Sequence, residues 1–93
     1  MYFITTIDAT GKDTRCVGYY ADLDKAIKAV EYNTFDIYEE GLYPYAVIEN
    51  IPEGIYHYDQ NPIWFKFNTT TRNYEKSERP LIIEKYFVGF SIG

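Results

Sequence analysis

Serine, histidine and cysteine are nearly absent from this 93-residue chain: it has two serines (Ser77 and Ser91), one histidine (His57) and one cysteine (Cys16). A hydroxyl or thiol nucleophile needs a base beside it, and Ser77 falls in a polar stretch while Ser91 stands next to the end, so no triad suggests itself. One cysteine excludes an internal disulfide framework and a cysteine-based zinc site. Placed in the strand-like run Arg15-Cys16-Val17-Gly18-Tyr19-Tyr20, Cys16 is expected to be a small buried hydrophobe. Also missing are a glycine-rich phosphate loop, a basic leader and any apolar run of 18 residues. These absences lead us to expect a cytoplasmic protein with no metal and no cofactor.

Tyrosine is abundant, with eleven copies. Its ring is apolar and its tip polar, which suits a surface that is adhesive in a complex and soluble outside one. The composition favours a binder over an enzyme. The net charge of −5 is unevenly spread. Residues 1–53 carry ten acids against four bases, and residues 54–93 carry four against five. The acidic first half repels nucleic acid and attracts basic surfaces, including those of proteins that handle nucleic acid, or else serves as a solvated face for solubility.

The chain reads as one small α+β domain over residues 1–93, a mainly antiparallel sheet of about five to six strands with one amphipathic helix on one face. Residues 1–8 and 14–20 are rich in strand formers around a turn containing Gly11, which predicts an antiparallel hairpin. Asp22 can cap a helix in which Leu23, Ala26, Ile27 and Val30 form one apolar stripe, with Asn33 able to end it. Residues 35–41 suggest an irregular loop of helical character. Strands are expected over 45–51, 55–58, 63–68 and 81–92, and residues 68–80, polar and charged, are expected to be a mobile loop.

Two aromatic sets stand out. Tyr32, Phe35, Tyr38, Tyr43 and Tyr45 interleave with Glu31, Asp36, Glu39 and Glu40, so rings and carboxylates alternate through one segment. Rings in a partner's pocket with carboxylates on its arginines would concentrate binding energy in a few anchors. The candidate partner-binding residues are therefore Tyr32, Asp36, Tyr38, Glu39, Glu40, Tyr43 and Tyr45; the structural alternative is that the rings fill the core. The second set is Tyr56, Tyr58, Trp64 and Tyr74, near Arg72, Lys76 and Arg79; its candidate ligand-binding residues Tyr56, Tyr58, Trp64, Arg72 and Arg79 could stack and charge-pair a nucleotide, or the set is simply sheet packing beside a charged loop. His57, between Tyr56 and Tyr58, reads as a structural residue before a general base, and the carboxylate pairs Asp22/Asp24 and Glu39/Glu40 as capping and solvated charge.

The runs Arg15-Cys16-Val17-Gly18-Tyr19-Tyr20, Ala26-Ile27-Lys28-Ala29-Val30, Asp36-Ile37-Tyr38-Glu39, Tyr43-Pro44-Tyr45-Ala46-Val47-Ile48-Glu49 and Gly54-Ile55-Tyr56 resemble small uncharacterised proteins of Firmicutes and their prophages. The resemblance implies a mobile-element setting, where small acidic proteins often look like inhibitors of host defence, anti-CRISPR proteins among them. The expectation is a non-catalytic inhibitor on a basic, nucleic-acid-handling host defence protein, as a monomer or a homodimer, with no direct contact to nucleic acid or membrane. The alternative is a sponge for a nucleotide immune signal. A weaker third reading is a small hydrolase using His57.

Overall fold

A computed structural model describes residues 1–52 and 61–83. Residues 2–7, Tyr-Phe-Ile-Thr-Thr-Ile, are all aromatic or β-branched strand formers, and they become strand β1 (Tyr2–Ile7), hydrogen-bonded to strand β2 (Thr14–Tyr20) in an antiparallel hairpin. The turn between them is organised by Asp8, whose carboxylate accepts from the Thr10 hydroxyl and the backbone N–H groups of Lys12 and Asp13. Burial pulls this carboxyl upward, but the hydrogen bonds from Thr10, Asp13, Lys12 and Gly11 outweigh it and hold it below the ordinary 3.8.

Helix α1 (Leu23–Glu31) starts where the Asp22 side chain accepts from the Asp24 backbone N–H at 2.8 Å. It ends in a paired-bond cap: Thr34 N–H reaches the Ala29 carbonyl, Asn33 N–H reaches the Val30 carbonyl, and Asn33 itself has φ 49°. Asparagine tolerates this left-handed conformation better than most residues, so it stops the helix where the sequence placed the stop. The chain then runs through an irregular segment, including a 3-10 turn over Glu39–Gly41, to strand β3 (Tyr45–Asn50), followed by β4 (Ile63–Asn68) and β5 (Asn73–Ser77).

The five strands form one antiparallel sheet in the order β2-β1-β3-β4-β5, making this an α+β fold. On one face, Ala26 and Val30 of α1 pack with Ile4, Ala46, Ile48, Phe65, Phe67 and Tyr74. The other face carries a second apolar cluster of Ile7, Val47, Trp64 and Ile83, flanked by Tyr45. Glu49 is also buried, at 1% exposure, so this acid adds nothing to the charged surface that a count of carboxylates suggests. No helix among the described residues is long and apolar enough to cross a membrane.

Three expectations change. Residues 68–80 are not a loop throughout: Asn68 accepts from the Thr70 and Thr71 backbone N–H groups to close a tight turn, and the chain returns as β5. The strand escapes notice in the sequence because Tyr74 is the one large ring it sends into the core, while its neighbours are polar, with Asn73 half-buried and Glu75 to Ser77 exposed. Cys16 is exposed, not buried. It lies on an outer strand, and a bulge at Val17 shifts the register so that Thr5 faces Cys16 while Ile4 faces Gly18. Leu81 to Ile83 form a turn; the rest of the expected strand over 81–92, and the whole of that over 55–58, lie outside the described residues.

Candidate protein-binding surface

The segment after α1 is built from three linked turns. Asp36 N–H donates to the Asn33 carbonyl, Glu39 N–H to the Asp36 carbonyl, and Leu42 N–H to the Glu39 carbonyl. The Asn33 side chain reinforces the first two, its Oδ1 accepting from Tyr38 N–H at 2.9 Å and its Nδ2 donating to Asp36 Oδ1 at 3.1 Å. Such tight successive reversal demands unusual backbone angles. Asn33, Phe35, Asp36, Glu39 and Glu40 all have φ between 49° and 55°. For side chains such as phenylalanine and glutamate this conformation costs roughly 1–2 kcal/mol per residue, and strain of that kind persists only where the surroundings hold it.

Two anchors hold it. The Tyr38 ring stacks on Phe67 of β4 and meets Tyr74 of β5 edge-on. Arg15 Nη1 of β2 pairs with Glu39 Oε2 at 2.5 Å. This pair is largely exposed and so contributes little stability by itself, but it ties the segment to the outer strand. On either side of the anchors the segment turns side chains outward, although Ile37 packs on the core: Phe35 is 100% exposed, Tyr32 70% and Leu42 54%, with Asp36 and Glu40 exposed beside them. A wholly exposed phenylalanine held on strained backbone serves no packing purpose in the isolated chain.

Two hollows separate this segment from β2. An open groove of about 610 Å³ is lined by Arg15, Cys16 and Val17 on one side and by Asp36, Ile37, Glu39 and Glu40 on the other. Next to it, a more apolar hollow of about 270 Å³ reaches Ile4 of the core past Val17, Gly18, Tyr20, Ala29 and Ile37. Phe35 borders both.

The expected partner-binding residues separate accordingly. Tyr32, Asp36, Glu39 and Glu40 lie on the exposed segment. Tyr38 is turned inward as an anchor, and the Tyr43 carbonyl accepts from the Tyr74 hydroxyl at 2.5 Å. Tyr45 packs against the second cluster, on the opposite face of the sheet. Residues not singled out as candidates also contribute: Phe35 at the apex, Asn33 as organiser, and Arg15 and Gly18 across the groove. An asparagine directly after an apolar helical stripe was the available signal for Asn33; nothing in the sequence distinguished Phe35 from its neighbouring rings.

The aromatic and arginine set is dispersed. Trp64 is buried at 7% exposure with Ile7, Val47 and Ile83, leaving no open ring face for stacking. Arg72 sits in the β4–β5 turn, beyond Asn68 and therefore about 13 Å along β4 from Trp64 at roughly 3.3 Å per residue. Arg79 donates to the Ile83 carbonyl. Tyr56 and Tyr58, like His57, lie outside the described residues. Among the described residues no group of three or more histidine, cysteine, aspartate or glutamate side chains gathers as a metal site. The chain matches no protein-family model, no curated protein and no solved structure.

Proposed function

We propose that this is a non-catalytic binding protein that docks the 32–42 segment on a basic patch of a partner protein. The observation that carries the reading is Phe35, entirely exposed on left-handed backbone and flanked by the exposed carboxylates of Asp36 and Glu40. A ring entering a pocket while acids meet arginines or lysines is the usual composition of an energetic centre in an interface. Given the resemblance to prophage-type proteins, the partner is a nucleic-acid-handling defence protein in the cytoplasm of a bacterial host, and docking on its basic surface inhibits it. A nucleotide-sequestering role has less support, because the rings and arginines it needs are not gathered in one place among the described residues.

The test is to express the chain in bacteria protected by a CRISPR-type nuclease, score phage plaquing, and measure binding of the purified nuclease at increasing salt. Plaquing should rise with the native chain and fall back with Phe35→Ser or with Asp36→Lys combined with Glu40→Lys, and binding should weaken as salt rises. Undiminished binding in both variants would overturn the proposal.

A further inference from the structure

Resting on that reading, we infer that the two hollows beside β2 form one recognition groove for an extended peptide segment of the partner, with a bulky apolar side chain seated at Gly18 and a basic side chain among Asp36, Glu39 and Glu40. Size, shape and charge all bear on this. The apolar hollow, at about 270 Å³, lies at the small end of ligand sites, which run to roughly 300–1,000 Å³, and has room for one bulky side chain. It is open because residue 18 lacks a side chain: a Cβ built there meets nothing within 4 Å. The residue does not adopt a positive φ, so its backbone does not require glycine. The glycine thus leaves a vacancy over Ile4, Val17 and Ala29.

The adjoining groove sets three carboxylates against one guanidinium, and Arg15 already pairs with Glu39. Asp36 and Glu40 remain exposed and favour a cation. The β2 linings of the two hollows share Val17 and are centred about two and a half residues apart, roughly 8 Å along a strand. An arginine two residues from an apolar side chain on the same side of an extended segment spans that distance with its long stem.

The outer strand also supplies a backbone template. Asp8 N–H donates to the Asp13 carbonyl, so with antiparallel alternation the main-chain groups of Thr14 and Cys16 point away from β1. Among the described residues no strand pairs with that side of β2. Main-chain bonding to a strand edge with alternate side chains in pockets is an established mode of peptide recognition.

The probe is a capped peptide reading arginine–threonine–phenylalanine–threonine–arginine, which presents the same spacing in either direction. Titrated into isotopically labelled protein, it should produce saturable amide shifts at Cys16, Val17, Gly18 and Ile37. Replacing its arginines by glutamates, or its phenylalanine by serine, should weaken binding by about tenfold or more. Gly18→Leu should do the same while keeping cooperative melting, since the new side chain fills open space. Saturable shifts elsewhere, equal binding of the glutamate peptide, or no saturable shift up to the peptide's solubility would overturn the groove. Should Gly18→Leu lose cooperative melting, the shift map and the peptide substitutions on the native chain decide alone. Nuclease binding that is lost with the Asp36→Lys and Glu40→Lys pair but unchanged in a folded Gly18→Leu protein would sink the groove and leave the proposed function standing.

Discussion

The ring of Tyr38 lies flat against that of Phe67, with centroids 3.6 Å apart and planes within 9°. This contact pins a loop residue to the fourth strand and fixes the direction in which the rest of the loop can point. Removing the ring should therefore release the loop as well as weaken the core. Tyr38→Ala is expected to cost about 1–3 kcal/mol in denaturant unfolding, and to reduce protection of the amides of residues 36–42 from hydrogen exchange more than those of β1. Equal losses in both regions would show that the stack has no special hold on the loop.

Strain in the loop gives the opposite sign. Glu40 has φ 53°, a conformation open to glycine without steric penalty. Glu40→Gly should stabilise the chain by up to about 1 kcal/mol, after allowance for glycine's greater freedom when unfolded, while weakening the partner complex by removing a carboxylate. Thermal melting and binding measured on one preparation check the pair of effects; a destabilised variant contradicts the strain argument.

Cys16 offers a reporter. Its thiol is exposed and lines the acidic groove. A maleimide should label it stoichiometrically in the folded protein at a rate close to that in denaturant, and a bulky label there should block partner binding. Native-state protection would mean that the outer strand is covered in solution.

Alkaline pH should weaken the fold through Tyr74. Burial, then the nearby Tyr38, Asp36 and Glu39, push its phenol above the ordinary value of 10. A raised folded-state value means that the native protein holds its proton more tightly than the unfolded chain does, so the associated stability is complete below about pH 10 and declines above it. Melting temperature followed from about pH 9 to about pH 11 should fall, and Tyr74→Phe should flatten that fall while costing about 1 kcal/mol at neutral pH for the lost bond to the Tyr43 carbonyl. An unchanged slope in Tyr74→Phe would assign the alkaline loss to other groups.

Elements with strong local signals were legible in the sequence alone. The hairpin of residues 1–20 and the helix capped by Asp22 rest on local patterns that tertiary packing then reinforces. Strand β5 was not, because a strand at the edge of a sheet needs only one buried side chain, and a single tyrosine in a polar stretch carries no period. Cys16 was misplaced for a related reason: alternation cannot reveal a bulge, and one extra residue changes which side chains a strand buries. Of the candidate surface, the segment was visible as interleaved rings and acids, but the sorting of its rings was not. Left-handed backbone at Phe35 sends that ring into solvent while Tyr38, three residues on, meets Phe67.

The pairing of β1 with β3 has a kinetic consequence. The β1–β2 and β4–β5 pairs are hairpins that form by short-range closure, whereas the six residue pairs from Tyr2↔Asn50 to Ile7↔Tyr45 must wait until the whole of residues 8–44 has been spanned. The strained turns lie inside that span, and their left-handed backbone has no local preference to form ahead of the sheet that holds it, so they are expected to settle late and come apart early. A partner that grips them acts as a clasp on the last step of folding, prolonging the lifetime of the native state without altering how fast the chain reaches it.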